Sequence, residues 1–396
     1  MDKMTVRDMD VIRKRVLMRV DFNVPLDEKT GAITDDSRIR ATVPTIKYLT
    51  QRGARVILMS HLGRPKGKVV SELRMLPVAQ RTSQILGQQV GVATDCVGVE
   101  VEKSVEKLQS GDVLLLENLR FHSEEEDNTD SFARQLSQLA EIYVDDAFGT
   151  AHRAHASVTG VAKYLPAVAG LLMEKEINTL SGILEKPALP FAAILGGAKI
   201  SDKVEMMENI LSKVSTVLIG GGMANNFLKA KNYETGKSLI EDGVNDLVVK
   251  LIADMEKRGI NLLLPTDVVV ADEVKPDVKT QVVAVGDVKQ NSRILDIGPQ
   301  TIENFSRELR KCQTIFWNGP MGLYEIPPFA LGTRTLARLL AGLKATTVIG
   351  GGSTAEVVIE MNLDDKMTFV STGGGASLSF LGGEQLPGVE ALRDKI

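Results

Sequence analysis

Phe191-Ala192-Ala193-Ile194-Leu195-Gly196-Gly197-Ala198-Lys199-Ile200-Ser201-Asp202-Lys203 decides the fold class. Five apolar residues closed by two glycines have the length and composition of a buried strand. The glycines turn the chain, and the residues after them have helical spacing. A strand, a glycine turn and a helix, in that order, begin a βαβ unit.

The same grammar runs outward in both directions. In the second half, apolar runs at 216–219, 261–264, 314–317, 346–349 and 368–370 read as further strands. In the first half, 16–20, 55–59, 113–116 and 142–144 do the same, with helical spacing between them, as at 39–51. Alternation over this length predicts an α/β protein whose two domains each hold a mainly parallel, Rossmann-like sheet flanked by helices. One amphipathic stretch at 170–185, followed by Lys186, Pro187 and Pro190, reads as the connection between them.

Composition bounds the function. With 396 residues, 43% hydrophobic, 25% charged and 35 glycines, each half can bury its own core. A formal net charge of −4 argues against nucleic-acid or anionic-membrane partners, which require a basic face. Cys96 and Cys312 form no CxxC pattern, so neither a disulfide framework nor a zinc site is expected, and a reducing cytoplasm fits. Residues 1–15 lack the apolar run of a signal peptide, and no stretch approaches the roughly 20 apolar residues of a membrane span.

Ligands of open α/β sheets bind beyond the carboxyl ends of the strands. In the first half those ends read Asp21-Phe22-Asn23, Ser60-His61-Leu62-Gly63-Arg64, Glu117-Asn118-Leu119-Arg120, and Asp145-Asp146 leading to His152-Arg153-Ala154-His155. With Arg38 near the start of the first helix, four arginines and His61 form a convergent cationic set. Guanidinium forks match phosphate and carboxylate oxygens. Single loop arginines are usually solvated; four at related positions point to an anion.

In the second half the strand ends are glycine-rich: Gly196-Gly197, Gly220-Gly221-Gly222, Gly350-Gly351-Gly352 and Gly373-Gly374-Gly375. Such turns expose backbone N–H groups at helix N-termini, which suits phosphate, and four in one half point to a nucleotide. Lys199 and Lys203, four apart, are expected on one face of the first turn of a helix, with an anion between them.

Rival readings are weaker. Gly236-Lys237-Ser238 lacks the earlier glycine of a P-loop, because that position is Lys231. Gly350, Gly352 and Ala355 satisfy the GxGxxA of an NAD(P)-dependent oxidoreductase, but the next strand runs into Ser371-Thr372 without the acidic residue that a ribose requires. His152 and His155 have no neighbouring cysteine, and no serine lies in a GxSxG elbow.

Long motifs then accumulate in order: Arg19-Val20-Asp21-Phe22-Asn23-Val24-Pro25, Ser60-His61-Leu62-Gly63-Arg64-Pro65, Leu116-Glu117-Asn118-Leu119-Arg120-Phe121, Gly149-Thr150-Ala151-His152-Arg153-Ala154-His155, Trp317-Asn318-Gly319-Pro320-Met321-Gly322 and Ser371-Thr372-Gly373-Gly374-Gly375-Ala376. On these motifs the chain resembles the phosphoglycerate kinases along nearly its whole length.

The resemblance implies a phosphoglycerate-binding domain at 1–170, a hinge helix at 171–185, a nucleotide-binding domain at 186–383, and a tail at 384–396 returning to the first domain. It implies that Asp21, Asn23, Arg38, His61, Arg64, Arg120 and Arg153 hold 3-phosphoglycerate or 1,3-bisphosphoglycerate. It further implies that Lys199, Lys203, Gly221, Gly222, Asn318, Glu325 and the turn Gly350, Gly351, Gly352, Ser353, Thr354 hold ADP or ATP, with Glu325 as ribose partner. Arg38, Lys199 and Lys203 are the expected catalytic cations, Mg²⁺ accompanies the nucleotide, and the state is monomeric. Where the family commonly has Asp, this chain has Ser353, which leaves the protein ligand of Mg²⁺ unassigned and raises the alternative of a catalytically weak nucleotide-binding protein.

Overall fold

Every apolar run read as a strand forms one, to within a residue, in the computed structural model, which describes residues 2–27 and 29–395. The chain divides into two units, one comprising Met1–Asn178 with Gln385–Ile396 and the other Thr179–Glu384.

The first unit holds β1 (Arg15–Arg19), β2 (Arg55–Met59), β3 (Val90–Val92), β4 (Val113–Leu115), β5 (Ile142–Asp145) and β6 (Ala167–Ala169), in the order β3-β4-β2-β1-β5-β6. All neighbours are parallel. The strands are apolar almost throughout because helices cover both faces of a parallel sheet; Val16, Met18, Val56, Leu58 and Val144 meet Ile39, Ile46 and Leu49 of the helix Ser37–Gln51 in one core. The chain end adds to this unit: Met4 N–H donates to Arg393 O at 2.7 Å and Gly388 N–H to Ala151 O at 2.8 Å.

The second unit holds β7 (Phe191–Leu195), β8 (Thr216–Ile219), β9 (Asn261–Leu263), β10 (Asp267–Ala271), β11 (Gln281–Ala284), β12 (Arg293–Ile297), β13 (Thr314–Asn318), β14 (Thr346–Gly350) and β15 (Phe369–Val370). Its main sheet is parallel, ordered β15-β14-β13-β7-β8-β9. Strands β11-β10-β12 form a separate antiparallel sheet that the sequence reading did not anticipate. The helix Leu171–Glu185 contains the boundary between the units, after Asn178. Among the described residues no helix is long and apolar enough to cross a membrane.

Strand order fixes where a ligand fits. The chain leaves β1 toward β2 on one side and β5 toward β6 on the other, and in the second unit it leaves β7 toward β8 and β13 toward β14. Diverging connections open a crevice at the carboxyl ends of each central pair.

Candidate active site

In the first unit the crevice is cationic. His61, fully enclosed after β2, has its Nδ1 3.1 Å from the Arg19 guanidinium. Burial pushes the imidazole well below its ordinary pKa, and the charges of Arg19, Arg120, Arg153 and Arg38 add to that shift. His61 is therefore neutral near pH 7 and lies among four guanidiniums. His155 is likewise lowered, to about 4, by burial first and then by Arg19, Arg120 and Arg153.

Each arginine is held differently. Arg38 donates to Asp21 Oδ2 at 2.5 Å. Arg120, almost wholly buried after β4, donates to Gly63 O at 2.9 Å and pairs with Glu126 at 3.2 Å, while its Nε has no hydrogen-bond partner among the described residues. Arg153 donates from Nε to His152 Nε2 at 3.2 Å. Asn23 Oδ1 accepts Gly63 N–H at 2.8 Å, which fixes the turn preceding Arg64. Arg64 is exposed and has no bonded partner among the described residues. Asp21, Arg38, His61, Arg120 and Arg153 are thus linked through direct contact or shared field, and Asn23 supports the loop that carries Arg64.

Sequence reasoning missed Arg19. It ends β1 with its side chain inside, donating to Ser157 Oγ at 2.9 Å and to Val20 O. Ser157 in turn donates to the buried Glu125 at 2.6 Å. The available signal was a charged residue, Arg19, following the apolar run Val16-Leu17-Met18.

In the second unit the glycine turns pack on one another. Gly196 N–H donates to Asn318 O at 2.9 Å and Gly197 N–H to Pro320 O at 2.9 Å, joining the ends of β7 and β13. A β-carbon on Gly196 would lie 2.2 Å from Pro320 O, and one on Gly221, where φ is +61°, would lie 2.6 Å from the same oxygen. These glycines are required by backbone contact as well as by any ligand. Gly351 has φ +85°, and Gly352 opens the helix Gly352–Glu360 with nothing near its missing side chain. Thr354 Oγ1 accepts Gly319 N–H at 2.7 Å. Asn318, at the end of β13, is buried, and its Nδ2 has no hydrogen-bond partner among the described residues.

Lys199 and Lys203 do not share an α-helical face. Ser201–Lys203 is a 3₁₀ turn, the α-helix begins at Val204, and Lys199 precedes both. Lys203 is buried, with its ammonium 3.5 Å from where a β-carbon of Gly197 would sit. Burial lowers its pKa, against the opposing pull of Asp202 and Glu241. Glu241 accepts Ile200 N–H at 2.6 Å and bears on Lys199 electrostatically.

A cavity of about 400 Å³ opens beside these turns, lined by Gly221, Gly222, Glu325 and Ser353. Its apolar walls include Leu239, Val268 of β10 and Leu295 of β12. The unanticipated antiparallel sheet therefore supplies a surface on which a planar base can rest. A more open hollow of about 470 Å³ near Asp36 and Arg81 contains none of the expected site residues.

For a divalent ion, Ser353 offers a hydroxyl rather than a carboxylate. Glu356, three residues on, accepts the Tyr324 hydroxyl at 2.7 Å, and the Glu325 and Glu356 carboxylates both act on Tyr324. This oxygen set fits a Mg²⁺ that takes most of its ligands from nucleotide and water.

Comparison with known proteins agrees over the whole chain. The family profile described as phosphoglycerate kinase matches residues 6–384. Phosphoglycerate kinase of Pelotomaculum thermopropionicum is 56% identical over 395 residues and that of Moorella thermoacetica 54%, each alignment covering 100% of both chains. The solved phosphoglycerate kinases of Coxiella burnetii and Pyrococcus horikoshii superpose with a TM-score of 0.87 each, at 40% and 33% identity, over 98% of both chains.

Proposed function

The chain belongs to the phosphoglycerate kinase family, a phosphotransferase acting on a carboxyl group, and we propose that its two units divide the reaction between acceptor and nucleotide. The reaction is the reversible transfer between 1,3-bisphosphoglycerate with ADP and 3-phosphoglycerate with ATP, a step of glycolysis and gluconeogenesis. Family membership leaves the oxidoreductase reading of Gly350, Gly352 and Ala355 without support.

The observation that carries the assignment of the first unit is the gathering of Arg38, Arg120 and Arg153 around a neutral His61. Three guanidiniums neutralise the phosphate and carboxylate of a phosphoglycerate, while a neutral imidazole can donate or accept one hydrogen bond. Asp21, which holds Arg38, and Asn23, which fixes the turn before Arg64, complete the acceptor site. In the second unit Lys199, Lys203, Asn318, Gly221, Gly222 and the turn Gly350–Thr354 take the phosphates, and Glu325 takes the ribose hydroxyls. Mg²⁺ would supply charge neutralisation to the nucleotide phosphates, with Ser353 of the cavity wall offering a hydroxyl in place of a carboxylate.

The attacking group is the carboxylate of 3-phosphoglycerate, ionised near pH 7, so no general base is needed. What the protein contributes is in-line positioning and cations around the equatorial oxygens of the moving phosphoryl group, a role given to Arg38, Lys203 and Lys199. Acceptor and nucleotide residues belong to different units, so transfer requires closure. The helix at 171–185 is the hinge, with 1–170 and the tail at 384–396 on one side and 186–383 on the other. Closure excludes water and suppresses hydrolysis. The enzyme works as a cytoplasmic monomer, without nucleic-acid or membrane partners.

A coupled assay of ATP-dependent phosphorylation of 3-phosphoglycerate, with a Mg²⁺ titration and an Arg38→Ala control, tests this reading. Turnover that collapses in the variant supports it; nucleotide binding without turnover in the parent protein favours a weakly catalytic nucleotide binder instead.

A further inference from the structure

Away from the residues assigned to either substrate, one group of side chains in the first unit has ligand chemistry of its own. Asp95, Cys96 and His122 bring a carboxylate oxygen, a sulfur and an imidazole nitrogen within 4.8 Å of one another. We propose that Cys96 Sγ, His122 Nε2 and an Asp95 carboxylate oxygen form a binding site for a thiophilic divalent ion of the Zn²⁺ class.

The fold builds this group deliberately. Asp95 and Cys96 follow β3, and His122 follows the 3₁₀ turn Leu119–Phe121 after β4; β3 and β4 are neighbours in parallel register, so their trailing turns lie side by side. The Glu117 N–H donates to Asp95 O at 3.3 Å across that gap. His122 stacks on Phe132 with ring centroids 5.0 Å apart, which sets the imidazole plane. Its Nε2 lies 2.6 Å from Asp95 Oδ1, the oxygen that also accepts Cys96 N–H at 2.7 Å. Asp95 Oδ2 has no hydrogen bond among the described residues and the side chain is half exposed, so an ion can reach the carboxylate from solvent, while Cys96 is fully buried behind it.

The donor set selects the ion. A thiolate and an imidazole with one carboxylate suit Zn²⁺ or Co²⁺, whereas Mg²⁺ and Ca²⁺ take oxygen ligands, so the group is unsuited to the nucleotide's cation. Three protein ligands leave a fourth tetrahedral position for water. Zinc bonds near 2.0 Å require ligand nitrogen and oxygen to stand roughly 3.3 Å apart, so Asp95 turns to present its free oxygen. On binding, the thiol now donating to Glu117 O at 3.0 Å loses its proton to solvent as the sulfur–metal bond forms. To bind the ion, Nε2 gives up the proton it now shares with Asp95 Oδ1 while Nδ1 takes one up, so the net release is the single thiol proton. Occupancy would tie the turn after β3 to the turn carrying Arg120, two residues before His122.

Titration of the nucleotide-free full-length protein with Co²⁺ tests the site. The expected result is one equivalent bound, a near-ultraviolet thiolate-to-cobalt charge-transfer band, release of one proton, and displacement by Zn²⁺. The band is lost in Cys96→Ser, retained in Cys312→Ser, and its Co²⁺ affinity falls at least about tenfold in Asp95→Asn. Absence of the band at saturating Co²⁺, or its survival in Cys96→Ser, overturns the proposal. If Cys96→Ser does not fold, the exposed substitution Asp95→Asn decides, and unchanged Co²⁺ affinity there overturns it equally.

Discussion

Asp146 Oδ1 accepts the backbone N–H of Leu172 at 2.9 Å, so a fully buried carboxyl of the first unit caps the helix in which the unit boundary falls. Met173 N–H donates to the same oxygen at 3.1 Å. Burial raises the Asp146 pKa to about 7, against the lowering effect of its hydrogen bonds. A carboxyl whose folded pKa exceeds its unfolded value holds its proton more tightly when folded. Its contribution is therefore most favourable below the unfolded value and declines as pH rises from about 4 to about 7, by up to ~4 kcal/mol. Asp146→Asn, which cannot ionise, should flatten that part of the stability profile. Urea unfolding of both proteins at pH 5 and pH 8, followed by far-ultraviolet circular dichroism, checks this; an identical pH difference in parent and variant rules it out.

Arg38 should matter to turnover more than to binding. Its guanidinium is already paired with Asp21 at 2.5 Å in the first unit, so the arm is oriented in advance of the phosphoryl group. If Arg38 acts on transition-state charge as proposed, Arg38→Ala should lower kcat by roughly 10² to 10³, with a smaller change in KM for 3-phosphoglycerate. Steady-state kinetics separates the two, and an unchanged kcat would remove Arg38 from the catalytic role.

Gly221 combines two demands that alanine cannot meet. Its φ of +61° is a left-handed conformation, and its β-carbon would press on Pro320 O at 2.6 Å and on Gly197 N at 2.7 Å, both backbone atoms. The conformation alone costs about 1–2 kcal/mol, and the contact adds to it. Gly221→Ala should lower the thermal midpoint and raise KM for ADP together, whereas Gly352→Ala, in open space, should leave the midpoint within a degree or two. Equal behaviour of the two variants by differential scanning fluorimetry would refute this account.

What the sequence disclosed followed from one repeated pattern, and what it hid lay outside that pattern. Strands such as Phe191–Leu195 and Arg55–Met59 are continuous apolar runs closed by glycine or polar turns, so their bounds are visible. Of the antiparallel strands, Asp267–Ala271 and Gln281–Ala284 have neither glycine turn nor following α-helix to mark them, and Gln281–Ala284 is largely exposed; Arg293–Ile297 is followed by Gly298 and the helix Pro299–Leu309, but Arg293 and Asp296 interrupt its apolar run. Yet these strands wall the cavity proposed for the nucleotide, so the glycine-rich side of the candidate site was visible and its apolar side was not. Lys199 and Lys203 show a second limit: a spacing of four suggests a shared α-helical face, but Lys199 precedes the 3₁₀ turn Ser201–Lys203 and the α-helix begins only at Val204. Arg19 shows a third, because a charge at a strand's last residue can point inward to Ser157 as easily as outward to ligand.

Ser353 bears on the metal dependence of the whole reaction. It lies at the start of the helix Gly352–Glu360, beside the cavity, at the position where a carboxylate would add a charged oxygen ligand. The nearby Glu356 is engaged by the Tyr324 hydroxyl at 2.7 Å, which restrains it from moving toward the nucleotide. On the proposed reading, a hydroxyl in that place would leave Mg²⁺ to phosphate oxygens and water, and its affinity in the nucleotide complex should be weak for that reason. Ser353→Asp should tighten Mg²⁺ binding to the ADP complex by about tenfold, equivalent to ~1.4 kcal/mol. Calorimetric titration of Mg²⁺ into protein saturated with ADP measures this independently of turnover. Unchanged affinity in Ser353→Asp would mean that the residue at this position does not approach the ion, and would shift attention to Glu325 and Glu356.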